Sequence, residues 1–224
     1  METLPFDAVL CDFDGVVHVW DPDGMTALDR AWGLAEGTLA GAAFEGGLLR
    51  AAVTGRLSDE EWRSRIADDL TPVCGSAERA RDLLATWTAL TGRVDPDVME
   101  LLTEVRRTVP VVLLSNATTR LESYLAAVGL AEAFDAVVNT ARVGVAKPDP
   151  RVFELAAGRV GADPKRCLFV DDTYGHVVAA REAGLTGLHY GHVGQLRDAV
   201  GPLLRRRPGA GSGRRGYGGE LPTP

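Results

Sequence analysis

Leu10-Cys11-Asp12-Phe13-Asp14-Gly15-Val16 is the stretch on which the reading of this chain turns. An apolar run, Ala8 to Leu10, carries the backbone as a strand into two carboxylates spaced two apart. Gly15 follows at once and supplies the φ > 0 geometry that a sharp exit requires. On a continuing strand residues i and i+2 share a face, so Asp12 and Asp14 are expected to converge on one point. Like charges held close at the end of a buried strand are costly unless a cation or a proton neutralises part of them.

Working outward, the first strand is expected over residues 6–13. After Val17 the texture changes to about eighty residues of helical pattern with almost no strand-like runs. Ser58-Asp59-Glu60-Glu61 is a capping-box signature, and Trp62, Ile66 and Leu70 follow on one helix face. A second helix is expected over residues 79–90, with Leu83, Leu84, Trp87 and Leu90 as its apolar stripe. Glycines at 33, 37, 41, 46, 47 and 55 keep the earlier helices short.

From Asp95-Pro96 onward helix and strand alternate. Val98, Leu101, Leu102 and Val105 fall at helical spacing, and the apolar run 109–114 ends at Ser115-Asn116. Leu121, Tyr124, Leu125 and Val128 form the next helical stripe, closed by Gly129. Residues 134–138 form a weak strand, and Lys147-Pro148-Asp149-Pro150 opens a helix running to about Val160. Residues 167–170 form a buried strand ending in Asp171-Asp172, followed by a helix to Gly184, a last strand at 186–190 and a last helix at 193–204. Apolar strands alternating with helices imply a doubly wound α/β fold with a parallel sheet covered on both faces. Ligands in such folds bind beyond the carboxyl ends of the strands, near a topological switch point. Three strands end there in polar residues: Asp12/Asp14, Ser115/Asn116 and Asp171/Asp172.

Composition narrows the class. A chain of 224 residues, 46% hydrophobic and 25% charged, is ordinary for a globular protein with room for an accessory domain. The net charge of −7 is uneven, because Arg205 to the end carries five arginines and one glutamate, +4, which leaves residues 1–204 at −11. An acidic body argues against a nucleic-acid-binding surface on the folded part. The three cysteines, Cys11, Cys74 and Cys167, are widely spaced and suggest neither a disulfide framework nor a zinc site. No apolar run reaches membrane-spanning length and no basic leader precedes one, so a cytoplasmic location is expected. Residues 205–224, rich in glycine and arginine, are expected to form a disordered tail. Arginine outnumbers lysine by 22 to 2, and Lys147 is one of the two lysines.

Each of these residues also has a plainer reading. Asp171-Asp172 suits a helix N-terminus, but that does not account for two adjacent acids after four apolar residues. Ser115, taken alone, reads first as a helix cap. Lys147 before a proline is either a surface residue or a charge held for an anion. Thr173 reads as a cap and His176 as packing or support rather than a ligand. His18 and Trp20 face either an incoming substrate or an ordinary hinge. Oxygen-bearing side chains gathered at one sheet edge suit a hard divalent cation, and Mg²⁺ is the usual choice beside phosphate.

Asp12-Phe13-Asp14-Gly15-Val16, Leu114-Ser115-Asn116, Lys147-Pro148-Asp149-Pro150 and Phe169-Val170-Asp171-Asp172, in that order, resemble the four motifs of the haloacid dehalogenase-like hydrolases. Gly55-Arg56-Leu57-Ser58-Asp59-Glu60-Glu61-Trp62 and Ala179-Ala180-Arg181-Glu182-Ala183-Gly184 add to the likeness, which points to the subfamily with a helical cap inserted after the first motif. The resemblance implies a Rossmann-like core over residues 1–17 and 93–204 and a cap over 18–92. It implies Asp12 as nucleophile, Asp14 as general acid and base, and Ser115, Asn116 and Lys147 as the phosphate-binding groups. Asp12, Asp14 through its backbone carbonyl, Asp171 and Asp172 are implied as the Mg²⁺ site. The family's dehalogenases lack the second aspartate of the first motif, so Asp14 points to phosphoryl chemistry. The implied activity is hydrolysis of a small phosphorylated metabolite, a sugar phosphate or similar, with a phosphomutase or a non-catalytic phospho-ligand-binding module as alternatives. His176 departs from the asparagine or aspartate that many relatives carry there.

Overall fold

The computed structural model describes residues 4–204; the expectation of a tail at 205–224 lies outside them. In chain order the elements are β1 (Ala8–Cys11), β2 (His18–Val19), α1 (Gly24–Ala31), α2 (Thr38–Ala43), α3 (Gly46–Val53), α4 (Asp59–Cys74) and α5 (Ala77–Thr88). They continue with β3 (Arg93–Val94), α6 (Pro96–Val105), β4 (Val111–Ser115), α7 (Leu121–Ala127), β5 (Ala136–Asn139), α8 (Thr140–Val143) and α9 (Pro150–Gly158). The last four are β6 (Cys167–Asp171), α10 (Tyr174–Glu182), β7 (Thr186–His189) and α11 (Val193–Leu204).

Five strands form a parallel sheet in the order β5-β4-β1-β6-β7. The chain therefore builds outward from β1 on one side, through β4 and β5, and then crosses to build β6 and β7 on the other. That reversal puts the switch point at the carboxyl end of β1. Strand parity divides the interior into two layers. Val9 and Cys11 of β1, with Val111, Leu113, Leu168 and Val170, face α6, α7 and α11 through Leu101, Leu125 and Leu196. Ala8 and Leu10, with Val112, Leu114, Cys167 and Phe169, face α9 and α10 through Phe153, Ala156 and Ala180.

Local chemistry places the helix starts. Asp95 accepts from the amides of Asp97 and Val98, with Pro96 opening α6, and Asp149 accepts from the Arg151 amide with Pro150 opening α9. The capping box read at Ser58 and Glu61 is present at the start of α4, with both reciprocal bonds formed. Helices α1–α5 share a third apolar cluster of their own, built on Leu39, Trp62, Ile66, Leu70 and Leu83. Two short strands not apparent in the sequence, β2 and β3, pair antiparallel where this helical insertion leaves and rejoins the core. Two residues each is too short to leave a period-two signature. No helix among the described residues is long and apolar enough to cross a membrane.

Candidate active site

Asp12 continues the parity of Ala8 and Leu10, and Asp171 that of Cys167 and Phe169. The register pairs Cys11 with Val170, so the two carboxylates leave adjacent strands side by side on one face. Lys147, in the turn between α8 and α9, enters from that face. Its ammonium lies 2.9 Å from Asp12 Oδ1 and 2.7 Å from Asp171 Oδ2, and donates to the Leu114 carbonyl at 3.1 Å. The lysine is buried, as are both carboxylates. Asn116 clasps the backbone of this lysine: its Nδ2 donates to the Lys147 carbonyl and its Oδ1 accepts from the Lys147 amide, each at 2.9 Å. The loop after β4 thereby fixes the position of the lysine.

Burial pushes the Asp12 carboxyl up, Lys147 pulls it back and the Asp171 charge pushes again, leaving it at about 7. Asp171 goes the other way. Burial works upward there, but the bond from His176 and the charge of Lys147 hold it at about 2. Burial works against the Lys147 charge, yet the two carboxylates more than offset it and hold the ammonium above its ordinary value. Burial, then the Asp171 charge, raises Asp172. Two carboxylates, Asp12 and Asp171, thus face one ammonium, with Asp172 beside them. With all three ionised, an excess of two negative charges on hard oxygen donors fits a divalent cation such as Mg²⁺.

The placement of the seven residues expected at the site is uneven. Asp12, Asp171 and Lys147 come together, and His176 joins them with Nδ1 at 3.2 Å from both Asp171 oxygens. Asp12, Asp171 and His176 present ligand atoms all within 4.8 Å of one another. Ser115 is buried at the carboxyl end of β4 and does not cap α7, which begins at Leu121 after an N-cap at Arg120. Asp172 lies over Gly15, where φ is 82° and an added Cβ would collide with its carboxylate. The Asp172 carbonyl accepts from His189 Nε2 at 2.9 Å.

Asp14 does not converge with Asp12 through its side chain. The strand stops at Cys11 and Gly15 turns the chain, so period-two parity no longer governs residue 14. The Asp14 side chain is 50% exposed and pairs with His18 Nδ1 at 2.9 Å, while Trp20 Nε1 donates to the same Oδ1 at 2.8 Å. Neither the substrate-facing nor the hinge reading of His18 and Trp20 anticipated this.

One polar junction escaped the sequence reading. Asp59, buried at the first turn of α4, accepts from Thr118 Oγ1 at 2.7 Å and Arg63 Nε at 2.7 Å. Its own amide donates to Thr119 Oγ1 at 2.9 Å. Threonines 118 and 119 lie in the loop that follows Ser115 and carries Asn116, so the helical insertion is anchored to the segment leaving β4. Only the capping box hinted at this aspartate, and it assigned the residue to the helix alone.

Known proteins resemble this chain in sequence and in fold. A family model described as haloacid dehalogenase-like hydrolase matches residues 6–184. Phosphatase MT3486 of Mycobacterium tuberculosis is 31% identical over 203 residues, covering 87% of this chain and 88% of that protein. Fructose-1-phosphate phosphatase YqaB of Escherichia coli is 42% identical over a shorter stretch of 64 residues, 29% of this chain and 34% of that one. Among solved structures, a HAD family enzyme of Bacteroides thetaiotaomicron in complex with magnesium and inorganic phosphate superposes with a TM-score of 0.66 at 20% identity, covering 82% of this chain and 93% of that one.

Proposed function

Because this chain belongs to the haloacid dehalogenase-like hydrolases, we propose that it is a Mg²⁺-dependent phosphatase of small phosphate monoesters. The observation that carries the reading is the buried Asp12–Lys147–Asp171 cluster at the switch point, with a second aspartate, Asp14, two residues on. The names of the phosphatase relatives support the substrate class, and the neighbour bound to magnesium and phosphate supports the cation. Asp12, the Asp14 carbonyl, Asp171 and Asp172 would hold Mg²⁺, with His176 supporting Asp171. When bound, the cation supplies charge neutralisation at the transferring phosphoryl group.

Asp12 is the nucleophile. Its carboxylate attacks phosphorus, the bond to the ester oxygen breaks, and Asp14 gives that oxygen a proton. In the second half Asp14 takes a proton from water, which attacks phosphorus and releases inorganic phosphate with Asp12 restored. Lys147 favours the ionised form of Asp12 that attacks and offsets charge gathering on the phosphoryl oxygens. Ser115 and Asn116 belong at those oxygens, the serine through its hydroxyl. Residues 1–17 and 93–204 act as the core and 18–92 as a cap that closes over the site, excludes water and selects the substrate. The Asp59–Thr118 contact supports that coupling, since it joins the cap to the phosphate-facing loop.

The test is phosphate release from an aryl phosphate ester followed by a panel of sugar, nucleotide and small-acid monoesters. Asp12→Asn is expected to reduce release to background, and chelation of divalent metal to do the same to the wild type. Turnover that survives either treatment would refute the mechanism.

A further inference from the structure

His18 is the one histidine of the described chain with no exposed side-chain surface, and both of its ring nitrogens are engaged. Nδ1 lies 2.9 Å from Asp14 Oδ1, and Nε2 lies 2.7 Å from the Tyr124 hydroxyl on α7. A buried imidazole is tolerated when both nitrogens are satisfied. Here the satisfying pattern is a hydroxyl donating into Nε2 and Nδ1–H donating to the carboxyl oxygen. The ring has little freedom. It stacks on Phe13 at 4.9 Å with planes 5° apart, and meets Trp20 and Tyr124 edge-on at 4.7 and 5.2 Å. Gly92 closes the slot, because a Cβ there would strike the imidazole and would lie 2.7 Å from the Val19 carbonyl.

The slot acts on one atom. His18 and Trp20 both address Asp14 Oδ1, and no hydrogen bond among the described residues reaches Oδ2. A carboxyl held by two donors on Oδ1 carries its proton on Oδ2, whichever way the rest of the side chain is solvated. The parts come from three places in the fold: the turn after β1, the β2–β3 junction and α7.

We propose that His18, seated by Tyr124, is a positioning residue that holds the Asp14 carboxyl, by Oδ1, in the orientation from which Oδ2 passes a proton to the departing oxygen. The inference rests on the phosphatase reading above and assigns a function to two residues that it leaves unused. General-acid help matters in proportion to how poor the leaving group is. An alkoxide departs badly without a proton, whereas a dinitrophenolate needs none. Loss of the positioning group therefore tilts the reactivity series and does not lower it evenly.

The experiment measures kcat/KM, which reports the first bond-breaking half, for phosphate monoesters from dinitrophenyl through phenyl to alkyl. His18→Phe keeps the ring stacking and removes the nitrogens; it is expected to lose about 10- to 100-fold on the alkyl ester, within the range of general-acid contributions. The loss expected on the dinitrophenyl ester is less than about threefold. Tyr124→Phe removes a single hydroxyl, supplies the test if His18→Phe does not fold, and is expected to show the same tilt on a smaller scale. An even loss across the series marks His18 as merely structural and overturns the inference, as does an unchanged series. A wild type that turns over the whole series without tilted variants refutes this inference alone. A wild type that turns over no monoester removes it together with the phosphatase reading.

Discussion

Replacing Lys147 by methionine keeps an unbranched side chain only one atom shorter and removes the charge that two buried carboxylates share. At an effective dielectric of about 20, unit charges at the observed 2.9 and 2.7 Å attract by about 6 kcal/mol each. On the same scale the two carboxylates, whose ligand atoms lie within 4.8 Å, repel by at least about 3.5 kcal/mol. The wild type sets the desolvation of three buried ions against the two attractions; Lys147→Met keeps the repulsion and loses both attractions. The variant escapes most of this by taking up a proton, and Asp12, already raised to about 7, is the group that takes it. What remains is the cost of breaking a buried ion pair, about 3–5 kcal/mol. Urea unfolding followed by circular dichroism, in chelator at pH 7.5, measures it. The held proton adds a signature: the folded variant keeps a proton that the unfolded chain has released, so its stability falls as pH rises, by about 1.4 kcal/mol per unit. Adding Asp171→Asn removes the buried charge left without its ammonium and is expected to recover about half of the loss. A loss below about 1 kcal/mol, or a double variant no more stable than Lys147→Met, would refute the electrostatic account of the cluster. Phosphatase activity of Lys147→Met is expected to fall by at least about 100-fold.

The metal-free wild type carries a related pH dependence. Asp12 is raised from 3.8 to about 7, so its contribution is present below pH 4 and lost as pH rises toward 7; Asp171 is lowered to about 2, so its contribution is present above pH 4 and lost as pH falls toward 2. Mg²⁺ at a hundredfold excess over its pH 8 Kd is accordingly expected to stabilise the fold by about 2.7 kcal/mol at pH 8, and the same concentration to raise the melting temperature less at pH 5; an equal rise at both pH values would contradict this. Gly15→Ala puts a Cβ on a residue at φ 82° and into the Asp172 carboxylate, so a loss of about 1–3 kcal/mol is expected with weakened Mg²⁺ binding, both read by thermal shift. Asp59→Ala strips Thr118 and Arg63 of their acceptor and is expected to cost about 1–3 kcal/mol and, if residues 18–92 act as the proposed cap, to raise KM more than it lowers kcat, since it loosens α4 from the loop after β4 without touching Asp12. An unchanged KM would show that the junction is structural alone.

Much of the layer architecture was legible because parallel strands are buried on both faces. Residues 109–114 and 167–170 read as short β-branched or apolar runs for that reason, and they form β4 and β6 within a residue or two. The helices α4 and α6 announced themselves through the Ser58–Glu61 box and the Asp95-Pro96 start, which are local chemistry. The two-residue strands β2 and β3 were not legible, since their pairing joins residues more than seventy positions apart.

At the site the same boundary holds, and the first motif marks it. Local chain chemistry was enough to place Asp12, Ser115 and Asp171 at the carboxyl edge of three strands of one parallel sheet, because strand parity and the apolar runs before them are properties of the local chain. The sequence also singled out Lys147 through its scarcity in an arginine-rich chain. Tertiary structure alone decided what those groups do to one another: that Lys147 sits between Asp12 and Asp171, that Asn116 clasps its backbone, and that Asp59 reaches across to Thr118. It decided the opening pair as well. Asp12 and Asp14 look equivalent two residues apart, yet the strand ends before Asp14, and the Gly15 turn hands that carboxyl to His18, Trp20 and, through them, Tyr124. Sequence spacing carries a side chain's direction only as far as the regular backbone lasts; beyond it, partners distant in the chain set the direction.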